Sequence, residues 1–407
     1  MRMDNNYFKS IVILFRSLLH FYCPYLLKKK KLDFAFLIHV RYPEDYYTGL
    51  ACLNIFQKIL PQKIYYYLIQ KLPPQINDVF QTTDGLHGII ISTLKLPSEL
   101  LNQRISVKRE LRKFRKIIGN YCKETDKQII IGLGGWWPIA TANGKIAQKV
   151  FEDHKFNVTT GHTGTVLSIC NMANSLSKLG FFLNYQTNVA IIGIGNIGMA
   201  IAHKLLENKY KLTLIDINTK KLHKMRDKLL EKHNNAEIRI EHFDRNNIKS
   251  ILDNCHLGVC ATSSQSKILS EKDIPNNFVF IDDSRPEAIP RFDYCPILTH
   301  RYTLEGGLFN IPSINLNYDI GIGTGPNVLG CLAESYMLAL AQATGQELPA
   351  TIGSIVLTNV DIYDDFCREN NINNSDYLMG AHIIDKAALK GILVSRLCKI
   401  LQDEHNV

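Results

Sequence analysis

The residues with the clearest chemical meaning are three glycines, an aspartate and two histidines. Gly193, Gly195 and Gly198 form G-x-G-x-x-G, with Asn196 and Ile197 between the last two. The motif follows an apolar run, Val189–Ile192, and opens a stretch with helical periodicity. In that setting the first glycine permits a tight turn and the second lets a pyrophosphate approach the backbone. The third lets helix and strand pack closely. The helix N-terminus then offers free N–H groups and partial positive charge to phosphates. Asp216 ends the next apolar run, LTLID. A carboxylate there accepts bonds from a ribose 2′-hydroxyl and repels a 2′-phosphate, which favours NADH. Lys220 and Lys221 follow closely and are long enough to reach a phosphate. Ala261, Thr262 and Ser263 follow a later apolar run, where such folds meet the nicotinamide.

Two histidines are candidate acids or bases, because imidazole titrates near neutral pH. His162 sits in the Gly/Thr-rich stretch VTTGHTGTV, which reads as a loop opening a long helix. His39 ends the apolar run FAFLIHV. The ten cysteines are scattered, with no C-x-x-C pair and no zinc-finger spacing. They read as reduced thiols of a cytoplasmic protein. Trp136 and Trp137 suit either an acyl pocket or a core.

These residues need a scaffold, and the chain of 407 residues is long enough for two or three domains. FAFLIHV, GIIIST (88–93) and IIIGLGG (129–135) read as strands alternating with helices. The segment 186–300 repeats strand, turn and helix, with strands at 212–216, 238–240, 257–263 and 278–282. The fold class is α/β: a Rossmann-type doubly wound parallel sheet, plus an α/β substrate domain completed by C-terminal helices. The expected boundaries are an extension at 1–31, the substrate domain at 32–185, the dinucleotide domain at 186–300 and a mostly helical segment at 301–407.

The net charge of +9 is uneven: residues 1–130 carry +11 and the rest −2. Much of the excess lies in 101–123, where Val107, Leu111, Phe114 and Ile118 share one face of a helix. The other faces carry Arg104, Lys108, Arg109, Arg112, Lys113, Arg115 and Lys116. Such a surface attracts an acidic partner. No nucleic-acid motif accompanies it. Residues 11–27 are apolar but short, broken by Arg16, His20 and Pro24, and followed by Lys28 to Lys31. They suit a surface-lying or packed helix rather than a membrane span, which gives residues 9–31 a candidate peripheral membrane contact.

Four stretches taken together resemble a known family. They are VTTGHTGTVLSICNMANSLSK, the GIGNIG turn, LGVCATSSQSKILSEKDIPNNFVFIDDSRPEAI and GCLAESYMLAL. They are similar to long-chain acyl-[acyl-carrier-protein] reductases of the aldehyde-forming type. FAFLIHV and IIIGLGG have counterparts in the same order, so the likeness covers about residues 33–370. The resemblance implies NAD(P)H-dependent reduction of a long-chain fatty acyl thioester, on acyl carrier protein or CoA, to the aldehyde. It implies that Cys331, in Gly-Cys-Leu-Ala-Glu, accepts the acyl group. It also implies NADPH as cofactor, and acidic acyl carrier protein as the partner of the basic helix 101–123. Near a helix start, with Pro326 in the first turn, such a thiol is expected to be rich in thiolate. Two departures stand out. The family's basic residue after the second strand is replaced by Asp216-Ile217, and its TTGN reads Thr159-Thr160-Gly161-His162.

Two alternatives stand beside this reading, the first a related oxidoreductase acting on a polar substrate. Shikimate dehydrogenases share the two-domain plan and Asn157-Val158-Thr159, but their lysine is missing. Glutamyl-tRNA reductases use a Thr-Cys-Asn-Arg motif, also missing. A dinucleotide-binding module without turnover is the second alternative.

Overall fold

The computed structural model describes residues 5–102, 106–123, 127–264, 266–289 and 300–405. Arg104 and Cys295 lie outside the described residues.

Two sheets carry the chain. The first has the order β2-β3-β1-β4-β5, built from β1 (Phe34–His39), β2 (Gln75–Gln81), β3 (His87–Thr93), β4 (Ile129–Leu133) and β5 (Phe156–Thr159). β2 runs antiparallel to β3, and the other neighbours are parallel. The central strand β1 is apolar on both faces and almost wholly buried, as a parallel sheet covered on two sides requires. On one face lie Leu111, Phe114, Ile117 and Ile118 of the basic helix.

That helix runs from Val107 to Tyr121, N-capped by the Ser106 side chain, and is shorter than the expected 101–123. A separate short helix, Pro97–Leu101, precedes it. The expected apolar stripe is buried at Leu111, Phe114 and Ile118. Between β1 and β2 the chain forms short helices, the longest being Gln62–Ile69.

The second sheet is fully parallel with the order β11-β10-β9-β6-β7-β8. Its strands are β6 (Asn188–Ile192), β7 (Lys211–Asp216), β8 (Ile238–His242), β9 (Leu257–Cys260), β10 (Phe278–Asp282) and β11 (Arg301–Glu305). The strand order reverses between β6 and β9, the switch point where doubly wound sheets bind ligands. β11 extends this domain beyond the expected limit at residue 300, because the sixth strand lies at 301–305.

The C-terminal segment is not a separate lobe. One continuous core joins Phe34 and Phe36 of the first sheet to Val189 and Ile191 of the second. Between them lie Val166 and Leu176 of the helix His162–Leu179, and Leu332 and Tyr336 of the helix Gly330–Thr344. The last helix, Lys386–His405, returns to the dinucleotide domain. There the fully buried Arg396 donates to the carbonyls of Leu252, Asp253 and Cys255.

The extension is folded as well. The helix Asn5–Tyr22 lies along β2, an edge strand. The Ile76 N–H donates to Ser17 Oγ at 2.8 Å, and Arg16 donates to the Ile76 carbonyl. An edge that would otherwise pair with another chain is closed in this way. Among the described residues no helix is long and apolar enough to cross a membrane.

Candidate active site

The glycine turn is built as its spacing implies. Gly193 has φ of +93°, and a Cβ there would meet the Ala261 carbonyl oxygen at 2.7 Å. A Cβ on Gly198 would lie 2.0 Å from the Gly193 oxygen, so the helix Asn196–Glu207 can cross the turn only with glycine there. A Cβ on Gly195 would meet nothing within 4 Å. Open space above that backbone, at the start of a 12-residue helix, is where a pyrophosphate fits.

Asp216 holds this turn in place. Its carboxylate accepts the Ile194 and Asn218 N–H groups, each at 3.0 Å, and pairs with Lys221 Nζ at 3.1 Å. Burial pushes the Asp216 carboxyl up, but these bonds outweigh it and hold it below its ordinary value. Lys221 is therefore committed to Asp216, and Lys220 is the exposed cation beside it.

A cavity of about 920 Å³ opens between the two sheets. From the dinucleotide domain it is lined by Gly195, Asn196, Ile197, Ala261, Thr262 and Ser263. From the other side come His39, Trp136, His162 and Cys331, with an apolar wall of Ile13, Ile38, Val40, Leu94, Ile139 and Ile320. Cys331 is the one cysteine among the described residues that lines it. The expected site residues of both domains therefore converge, except that Gly193, Gly198 and Asp216 shape the turn from behind.

Cys331 is placed by glycine-to-glycine crossing of two helix starts. It is the second residue of the helix Gly330–Thr344. Gly161, at φ +71°, has room for no side chain, since its Cβ would lie 2.2 Å from the Cys331 Cα. A Cβ on Gly164 would meet the Gly330 oxygen at 2.5 Å. Glu334, fully buried, locks the crossing: it accepts the Gly164 N–H at 2.9 Å and the Thr159 hydroxyl. Glu334 is a positioning residue that the sequence reading quoted within a motif without giving it a role.

The electrostatics correct one expectation. Cys331 does have the N–H groups of its own residue and Leu332 near the thiol. They are outweighed. Burial first, and the neighbouring Asp283 second, push the thiol up to about 12. A thiolate-rich resting state does not follow. Pro326 is not in the first helical turn either, because β13 (Asn327–Leu329), paired with β12 (Leu308–Asn310), stands between.

The histidines differ from one another. His39 spends both ring nitrogens on backbone, with Nδ1 2.8 Å from the Val40 oxygen and Nε2 accepting the Trp136 N–H at 2.9 Å. Burial lowers it to about 4. It fixes the Trp136 turn and has no nitrogen left for substrate. His162 is also lowered to about 4 by burial. Its Nδ1 faces Asn196 Nδ2 at 3.3 Å, which ties the two domains together across the cavity. With Nδ1 accepting from Asn196, the neutral ring keeps Nε2–H as a donor. Trp137 is core and donates to the Ile38 carbonyl at 3.1 Å, whereas Trp136 lines the cavity and donates across it to the Arg285 carbonyl.

Asp283 is the residue that sequence reasoning missed. It lines the cavity beside Cys331, and burial raises it to about 7. Nearby Arg285 opposes the rise, while Asp282 and Glu305 add to it. A carboxyl with a value near neutrality is suited to giving and taking protons. The Asp282-Asp283 pair at a strand end was the available signal.

Residues 188–265 match the family model described as 3-hydroxyacyl-CoA dehydrogenase, NAD binding domain. The chain therefore carries an NAD-binding domain of oxidoreductase type. Among solved structures it is similar to L-tryptophan dehydrogenase from Nostoc punctiforme, at 9% identity, covering 90% of this chain and 89% of that one, with a TM-score of 0.39. Shikimate 5-dehydrogenase from Listeria monocytogenes, in complex with shikimate and NAD, is 12% identical over 83% of this chain and 99% of that one, with a TM-score of 0.33. Delta(1)-pyrroline-2-carboxylate reductase from Thermococcus litoralis, in complex with NADH and L-proline, is 16% identical over 30% of this chain, with a TM-score of 0.23. The chain spans 37% of the length of that enzyme. No curated protein matches the chain.

Proposed function

We propose that the chain reduces an acyl thioester to an aldehyde through a covalent acyl group on Cys331. One observation carries the reading. The single cavity-lining cysteine among the described residues shares an apolar-walled cavity with the nicotinamide side of the dinucleotide turn. A reduced nicotinamide bound there supplies hydride, and Gly195, the Asn196 helix start and Asp216 would hold it.

The chain's own residues do the rest. Cys331 attacks the thioester carbonyl as Asp283 takes the thiol proton. A carbon–sulfur bond forms to Cys331, the bond to the carrier sulfur breaks, and Asp283 returns the proton to the departing thiolate. His162, which lines the same cavity, donates from Nε2–H to the carbonyl oxygen as it gains charge. Hydride delivery to the acyl carbon, with loss of the bond to Cys331, releases the aldehyde. The Cys331 sulfur leaves as thiolate and is reprotonated from solvent by way of Asp283. The wall of Ile13, Ile38, Val40 and Ile139 suits a fatty chain, and acyl carrier protein or CoA is the carrier class. The basic helix gives acyl carrier protein a docking surface through Lys108, Arg109 and Arg112, which are exposed.

The test is direct. Incubation with a fatty acyl thioester, without dinucleotide, should add one acyl mass to Cys331, and adding NADH or NADPH should release aldehyde. Cys331→Ser should do neither while still binding dinucleotide. Aldehyde production by that variant near the wild-type rate would replace covalent catalysis with direct hydride attack on the thioester.

A further inference from the structure

The helix Asn5–Tyr22 is packed the wrong way round for a water-soluble surface. A surface helix normally turns its apolar stripe inward and its polar residues to water. Here the inward stripe is polar: Ser10, Ser17 and His20 are buried, with only Ile13 apolar among them. Both serine hydroxyls and the His20 backbone are bonded to the rest of the protein. Ser10 Oγ accepts the Cys52 N–H, Ser17 Oγ accepts the Ile76 N–H, and Asn120 donates to the His20 carbonyl. Leu14, Leu18, Leu19 and Phe21 are half-buried, and the other large apolar residues face out. Phe8 is 59% exposed and Phe15 62%, with Ile11 and Val12 beside them. Tyr22 at the helix end, and Tyr25 and Leu26 beyond it, continue the exposed face.

The neighbouring segment extends it. The Cys52 contact brings residues 51–53 against the helix, and Phe56, Ile59, Ile64, Tyr67 and Leu68 are exposed in the stretch that follows. Lysines border the apolar ground: Lys28, Lys29 and Lys30 after the helix, and Lys58 and Lys63 in the second segment, all exposed. Phenylalanine and isoleucine flanked by tyrosine and lysine are the composition that enters the headgroup boundary of an anionic bilayer.

We infer that this face docks the protein on an anionic phospholipid membrane surface, with the helix Asn5–Tyr22 lying in the interface. A second copy of the chain is the poorer occupant, because a twofold contact through this patch brings the two Lys28–Lys30 runs together without counter-charge. Lys9, Ser10 and Ile13 of the helix line the large cavity. The docked helix therefore borders both the bilayer and the cavity.

The experiment is co-sedimentation of the full chain with phosphatidylcholine vesicles, with and without an equal part of phosphatidylglycerol. No turnover is read, so failure here is distinct from failure of the proposed reaction. The expected result is partition to the mixed vesicles, weakened by salt and much smaller with phosphatidylcholine alone. Phe8→Asp with Phe15→Asp should lower the partition at least about tenfold. If that pair disturbs folding, judged by circular dichroism, Tyr25→Ser with Leu26→Ser carries the same expectation from outside the helix. The inference is overturned if the wild-type chain stays in the supernatant with both vesicles, or if a folded variant partitions like wild type. It is also overturned if light scattering shows a wild-type dimer that the variants dissociate, with no vesicle binding.

Discussion

A side chain on Gly161 would place its first carbon 2.2 Å from the Cα of Cys331. The nucleophile candidate is thus positioned by the absence of an atom in a loop 170 residues away. Gly161→Ala must move one backbone or the other, and at φ +71° it is strained besides. A displacement of about 1 Å at a reacting atom costs on the order of 100-fold in rate. We expect single-turnover aldehyde formation to fall by about that factor. Dinucleotide affinity, measured by NADH fluorescence, should change less than about twofold, since the glycine turn at 193–198 is untouched.

The dinucleotide preference turns on Asp216. Its carboxylate braces the turn through Ile194 and binds Lys221, so it is ionised and already in contact with the chain's best phosphate-reaching cation. A 2′-phosphate would have to approach that carboxylate. NADH should therefore support turnover at least as well as NADPH. Asp216→Ala frees Lys221 and should shift the NADPH-to-NADH ratio of kcat/KM at least about tenfold, or 1.4 kcal/mol, toward NADPH. A wild-type preference for NADPH above tenfold would show that Lys220 outweighs the carboxylate.

Much of this was legible in the chain. The glycine spacing, the strand before it and the acid after it were enough to place the dinucleotide turn. Cys331 and the 158–166 stretch were legible only as separate motifs, because what joins them is steric. Gly161, Gly164 and Gly330 each leave room for the other helix, and no local pattern records a crossing between residues 170 apart. β2 and β5 were not read as strands. QINDVFQ is half polar, and its buried Asn77 and Asp78 are satisfied by partners as distant as Asn317. Asp283 looked like any acidic residue at a strand end. Its raised value arises first from burial, then from Asp282 and from Glu305, which arrives on a strand the sequence did not reveal.

The basic helix gives a separate prediction. Lys108, Arg109 and Arg112 are exposed, whereas Lys116 sits 4.3 Å over the Phe21 ring and Arg115 pairs with Asp153 at 3.4 Å. Reversal at Arg109 and Arg112 should therefore raise KM for an acyl-carrier substrate without disturbing the fold. An acidic carrier would be steered by these charges, an effect that salt screens over about 8–10 Å. Acyl-CoA should respond less. Equal responses of both substrates, in a titration of KM against salt, would make the helix an ordinary solvated face.

Asp283 ties stability to catalysis through one proton. Folding raises its carboxyl from 3.8 to about 7, chiefly by burial. The folded chain thus holds the proton more tightly than the unfolded chain. The stability linked to that proton is fully present below pH 3.8 and is lost as pH rises through about 7. Asp283→Asn cannot ionise, so its Tm relative to wild type should rise between pH 5 and pH 8. The activity should change in the opposite sense. With the carboxylate needed to accept the Cys331 proton, wild-type acyl transfer gains rate as pH passes about 7, and the Asn variant loses that limb. Stopped-flow acylation across pH 5 to 9, beside thermal melts of both proteins, reads the two effects together. A variant that is stabilised at pH 8 and still acylates with the wild-type pH profile would leave Asp283 a buried acid with no part in moving the proton.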